Sequence, residues 1–253
     1  MTAENGKYNG DNKKSNDGDN NVIRMPTLAE RDKARRDEEK KWRDSYRKNN
    51  PDAPFLNLPP VTKIMMAVLV IIHLALNFIL DDPARQWVLD HFGFTPEYYT
   101  RAFSFWPAIA GSFTYALLHD GWIHISMNVV MMAAFGAGVE KWMGGRRMLV
   151  LFVLCSLGAA LCHFILSPFS AHTMVGASGG ISGLFAAVLV MMQMQGRLGH
   201  GRYGIWPLAA FWIGISFIFG LLGGPGGSAI AWAAHIGGFI AGLILIKPVL
   251  RMP

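Results

Sequence analysis

Residues 176–195 read GASGGISGLFAAVLVMMQMQ. This run has the length of a membrane crossing, about 20 apolar residues, and it opens on Gly176-Ala177-Ser178-Gly179, with Gly180-Ile181-Ser182-Gly183 one turn further on. A second run, 229–247, carries Ala234-His235-Ile236-Gly237-Gly238 in equally apolar surroundings. A potential nucleophile and a potential base thus both stand where polar side chains are costly.

Working outward with windows of about 20 residues gives six apolar segments, near 62–80, 120–139, 147–166, 176–195, 205–222 and 229–247. The expected fold is an all-α membrane protein, a bundle of six transmembrane helices over 59–250. The chain is 52% hydrophobic and 16% charged even though its first sixty residues are almost entirely polar, so the rest is far more apolar than the average. Residues 1–58 form a polar arm, expected to be disordered or loosely helical; within it 28–47 can make a charged helix with i, i+4 pairs. No apolar run with a small-residue cleavage site lies near Met1, so the first segment is expected to serve as the signal.

Charge orients the bundle. Of 23 Lys and Arg, thirteen precede residue 60, and Lys141, Arg146, Arg147, Arg197, Arg202, Lys247 and Arg251 flank segment ends on the same side. Arg85 and Arg101 alone fall in the opposite loops. The positive-inside rule then makes both termini cytoplasmic. The net charge of +6 reflects topology and contact with anionic lipid, with no nucleic acid partner required. Cys155 and Cys162 lie about 10 Å apart along one helix, too far for a disulfide.

The loops differ in kind. Residues 81–119 are dense in aromatics, among them Trp87, Phe92, Tyr98, Phe103 and Trp106, which favour the outer membrane interface. Gly223-Gly224-Pro225-Gly226-Gly227-Ser228 is expected to be a mobile connection on the same outer side as Ser178, able to gate entry.

Counting inward from the charged flanks places His124, Asn128, Ser178 and His235 together in the outer half of the bilayer. Asn128 is i+4 from His124, so the two share a helix face and offer two donors. His119, above them, is read as a loop or interface residue. Gly179-x-x-x-Gly183 and Gly238-x-x-x-Gly242 are grooves that allow close helix approach, and if they face each other Ser178 meets His235. Ser178 is favoured over Ser182 because free N–H groups, needed for an oxyanion, occur only in a helix's first turn.

At these residues the chain resembles the rhomboid family of intramembrane serine proteases. The resemblance rests on His119-x-x-x-x-His124-x-x-x-Asn128, Gly136-x-x-x-Glu140-x-x-x-Gly144, Gly176-x-Ser178-Gly179 and Ala234-His235-x-x-Gly238, in that order. It covers roughly 60–250. The family's Trp-Arg pair is not evident in the first outer loop, where the nearest stretch reads Phe105-Trp106-Pro107.

The resemblance implies a serine-type endopeptidase that cleaves transmembrane protein substrates through a Ser178/His235 dyad. His124, Asn128 and the Ser178 N–H would bind the oxyanion, Glu140 would be structural, and no metal or cofactor would be needed. It also implies a multi-pass protein of a bacterial inner membrane, with the site open to the outer side. Two alternatives belong to other classes: an inactive rhomboid-like scaffold that binds membrane clients, and a transporter lined by His119, His124 and His235.

Overall fold

In an apolar run the backbone N–H and C=O groups find no water, so helix is the conformation that satisfies them within the segment. The computed structural model describes residues 57–198, 204–222 and 232–252, with Thr27, Glu30, Lys33, Ala34, Asp37, Glu38, Lys40 and Lys41. Its contacts divide the chain into Met1–Asn57 and Leu58–Pro253.

In the first unit Thr27 and Glu30 form a capping box. The Thr27 N–H donates to Glu30 Oε2 at 2.7 Å and the Glu30 N–H to Thr27 Oγ1 at 3.3 Å. The described residues from Glu30 to Lys41 are helical. The remainder of the arm, and with it the expectation of disorder, lies outside the described residues.

The second unit contains α1 (Pro60–Phe78), α2 (Asp82–Phe92), α3 (Phe105–Thr114), α4 (Trp122–Met143), α5 (Gly145–Leu166), α6 (Ser178–Met194), α7 (Trp206–Leu222) and α8 (Trp232–Leu250). Among the described residues α1, α4, α5 and α8 are long and apolar enough to cross a membrane, and α6 and α7 are apolar but shorter. Ile64, Ile71, Ile240 and Ile244 are exposed along α1 and α8, an exterior suited to lipid. The glycine-rich connection at 223–228 lies outside the described residues.

Two features break the regularity of α4. Met132–Gly136 is a π-helical turn between α-helical Trp122–Met131 and Ala137–Met143. At the far end Gly144, with φ +86°, turns the chain directly into α5.

The 81–119 region is more structured than its composition indicates. It holds α2, α3 and two 3₁₀ turns. Asp81 caps α2, accepting from the Ala84 N–H at 3.0 Å, with Pro83 in the first turn. Its aromatics divide: Trp87, Phe103 and Trp106 are exposed, whereas Phe94 and Tyr115 are core. Phe94 pairs with Met174 through two backbone bonds of 2.9 and 2.8 Å, which fastens this region to the segment leading into Ser178.

The core sits where α5, α6 and α8 pack on one another. Small residues make that possible, because a Cβ at Gly179 would lie 2.5 Å from the Ala159 Cβ and one at Gly238 would fall on the Gly179 carbonyl. The two small-residue grooves of α6 and α8 therefore meet, as Gly242 also lies against Gly183.

Candidate active site

Ser178 is the first residue of α6, so its N–H has no intrahelical acceptor. The approach to it is held from outside the helix. The Gly176 N–H donates to the Tyr115 carbonyl at 2.9 Å, and the Ala177 N–H donates to His119 Nε2 at 3.4 Å. Tyr115 is itself anchored, its hydroxyl donating to the Ser156 carbonyl at 2.7 Å.

His235 lies one turn into α8, and its Nε2 is 2.8 Å from Ser178 Oγ. The glycine contacts that bring α8 onto α6 set this separation. No carboxylate hydrogen-bonds His235 among the described residues.

Ser182 stands apart. It is fully buried and its hydroxyl donates to the Ser178 carbonyl at 2.8 Å, a bond back onto its own helix. Its hydroxyl is thus engaged within the helix, and Ser182 is not among the residues that line the cavity beside Ser178.

His124 reaches the same point from α4. Gly176 has φ +123°, and a Cβ there would lie 2.6 Å from His124 Nε2 and 3.8 Å from Ser178 Oγ, so only glycine lets the three groups converge. Asn128 is buried on the same face, but its Nδ2 donates to the His124 carbonyl at 2.9 Å. The two share a helix face, and because a carboxamide carries two N–H donors, the bond to the His124 carbonyl engages one of them. Its Oδ1 is buried without a partner.

All four residues line one cavity of about 490 Å³, together with His163, Trp212 and the 170–176 segment. Nothing in it presents a metal-binding cluster among the described residues.

Two residues carry more than the sequence indicates. His119 lies in the loop before α4, as expected, and is buried at 4% exposure, its ring edge-on against His124 at 5.0 Å and its Nε2 accepting from the Ala177 N–H. His73, on α1, attracts no attention in the sequence and is 2% exposed, packed at 4.8 Å on Trp122. A histidine and Asn77 at i, i+4 in an otherwise apolar helix are the signal that could have found it.

Residues 105–252 match the family model of the Rhomboid domain. The match covers more than half of the chain, from α3 to the end of α8, and contains every one of the four candidate residues. With its apolar helices the protein is an integral membrane protein, and it belongs to the rhomboid family, whose members are in general intramembrane serine proteases.

Proposed function

We propose that this protein is an intramembrane serine endopeptidase, with Ser178 as nucleophile and His235 as general base. The observation that carries the reading is the 2.8 Å separation of Ser178 Oγ and His235 Nε2 at the head of a helix. The Ser178 hydroxyl donates to Nε2, and as Oγ attacks the scissile carbonyl its proton passes to the imidazole. The developing oxyanion takes the Ser178 N–H and the His124 ring N–H as donors. Asn128 joins them through the second N–H of its amide. The imidazolium then protonates the departing amine, and water, activated by the same histidine, hydrolyses the acyl-enzyme.

In this reading α6 and α7 also cross the bilayer. At 17 residues each they span about 25 Å, the short end of the usual range. Both termini are cytoplasmic, the membrane is a bacterial inner membrane, and the cavity opens to the outer side, which supplies the water that hydrolysis needs. The 1–58 arm is a separate polar segment and 59–250 is the protease domain. Substrates are membrane proteins whose helix is weakened near its outer end by Gly, Pro or polar residues, because a regular helix keeps its carbonyls in i to i−4 bonds. A small residue is expected at the cleaved position.

Inactive rhomboid homologues exist, and one test separates them from this reading. Purified protein is treated with a fluorophosphonate and also given a transmembrane substrate. The expected result is a covalent adduct on Ser178 and cleavage, both abolished in Ser178→Ala and His235→Ala. A well-folded wild type that neither labels nor cleaves overturns the proposal and favours a client-binding scaffold.

A further inference from the structure

A second cavity, of about 350 Å³, lies between α1, α3 and α5 and shares no lining residue with the cavity at Ser178. Its wall runs from Val61 to Leu69 on α1 and from Leu149 to Leu157 on α5, about 12 Å along each helix. Half of a bilayer's hydrocarbon core is about 15 Å deep, so the slot has nearly the depth of one leaflet. At its foot Val61 lies against Gly145, where a Cβ would clash with Val61 Cγ2. Its other end is bounded by Ser112, Phe113, Ala116 and Leu117 at the level of Ser156, whose carbonyl accepts the Tyr115 hydroxyl at 2.7 Å. Between these ends it opens sideways, with Ile64, Val68, Leu149 and Val153 exposed on its rims.

No charged residue lines the slot, and its two hydroxyls are engaged within their own helices, Ser112 Oγ donating to the Ala108 carbonyl and Ser156 Oγ to the Phe152 carbonyl, both at 2.9 Å. Such a cavity offers water too few polar partners to hold it. The opening is continuous with the lipid-facing exterior of α1, where Ile71 also stands exposed, so hydrocarbon is what meets it. A neighbouring helix, about 10–12 Å across, is too wide for 350 Å³ over that length. A single flexible hydrocarbon chain fits, and it supplies the dispersion contacts that an empty slot forfeits. The inner wall connects the slot to the site. Phe152 and Ser156 lie against Gly180, where a Cβ would be 2.6 Å from Phe152 Cε2 and 2.5 Å from Ser156 Oγ, and Ser156 holds Tyr115, whose carbonyl accepts the Gly176 N–H at 2.9 Å. An occupant thus touches the residues that stand behind the approach to Ser178.

We propose that this slot binds one acyl chain of a phospholipid from the leaflet in which α1 and α5 begin, and that the chain braces the wall behind Ser178. In the orientation proposed above that leaflet is the cytoplasmic one. The effect on turnover rests on the proteolytic reading; the binding does not.

Two measurements on full-length protein test it. The first is photolabelling in vesicles of phosphatidylethanolamine and phosphatidylglycerol doped with a phospholipid that carries a diazirine along its chain. Adducts on Val68 and Val153 are expected to exceed those on Ile240 and Ile244 by about tenfold, a preference of about 1.4 kcal/mol, although Val68 and Val153 are the less exposed at 38% and 40% against 46% and 66%. Val153→Trp, which places an indole in the slot, is expected to bring Val68 down to the level of Ile240; Leu149→Trp makes the same test if the first variant does not fold. Equal labelling of the two sets in wild type would mean ordinary surrounding lipid and overturns the proposal, as does undiminished Val68 labelling in the filled variant. Val68 labelling that falls as protein density rises would put a second copy of the chain over the slot and overturns it too. The second measurement is turnover of a transmembrane substrate after lipid has been stripped with a rigid steroidal detergent too broad for the slot. Wild type is expected to lose turnover severalfold and to recover it when the phospholipid is added back, whereas Val153→Trp keeps its rate without lipid. Equal loss in both overturns the bracing role. If wild type fails to label with fluorophosphonate the proteolytic reading falls, and the photolabelling still decides the slot.

Discussion

The seam between α6 and α8 and the seam between α1 and α4 hold their helices by opposite means. Between α6 and α8 the contact is backbone on backbone: Gly179, Gly183, Gly238 and Gly242 leave no room for a side chain, and the polar bond across it is Ser178 to His235. Between α1 and α4 the contact is polar. Glu140 accepts from the Val61 N–H at 3.0 Å, the Thr62 N–H at 2.7 Å and the Thr62 hydroxyl at 2.7 Å. It thus caps α1, whose own N-cap residue is Pro59 and offers no side-chain acceptor. The first seam sets a distance by excluding atoms, which suits the proposed Ser178–His235 pair. The second satisfies donors that would otherwise be orphaned in a dry setting, which suits stability.

The contrast breaks most sharply at Gly238. Gly238→Ala places a methyl on the Gly179 carbonyl, so α8 must move away from α6, and cleavage is expected to fall by about 10² or more although no reacting group has changed. Gly214→Ala, where a methyl meets nothing within 4 Å, is the control and keeps activity. Wild-type turnover by folded Gly238→Ala would mean that the glycine contact does not set the Ser178–His235 distance.

Next come the proposed oxyanion donors. His124→Ala is expected to reduce kcat by about 10² with KM little altered. Asn128→Ala is expected to cost less, because the Asn128 amide is engaged by the His124 carbonyl in the resting protein. Steady-state kinetics on one reconstituted substrate check both; a rise in KM at unchanged kcat would move these residues to substrate binding.

The polar seam should respond in stability instead of chemistry. Glu140→Ala leaves two backbone N–H groups and the Thr62 hydroxyl without an acceptor, an expected loss of about 1–3 kcal/mol for an unsatisfied buried group, read as a lowered melting temperature. Below that temperature kcat should be near wild type. An unaltered midpoint with lost kcat would erase the distinction between the two seams.

The smallest effect is expected from deleting residues 2–55, which supply none of the residues named in either seam. Truncated protein in detergent should retain substantial activity; total loss at unchanged thermal stability would give the arm a direct role.

Hydropathy located the helices well because it is a local property. The run read at 176–195 is α6 at Ser178–Met194, and that at 147–166 is α5 at Gly145–Leu166. The grooves were legible for the same reason, since spacing by four is written in consecutive residues. What the sequence hides are bonds between distant residues. Nothing near Glu140 signals that its partners are Val61 and Thr62, nor does anything near His119 signal Ala177. The helices α2 and α3 were obscured by composition, as aromatics suited to an interface also suit a short amphipathic helix. For α2 the Asp81 cap and Pro83 were visible signs.

The π-helical turn at Met132–Gly136 has a consequence for what this part of the gene can vary. Such a turn absorbs one residue more than an α-helical turn, so everything beyond it is offset by about 100° from where an uninterrupted helix would carry it. His124 and Asn128 lie before the offset and Glu140 after it, so one rod addresses the cavity and the end of α1 on different bearings. The segment's length matters here more than its letters. Losing a single residue here would force one end of α4 to rotate away from its partner with every functional side chain still present.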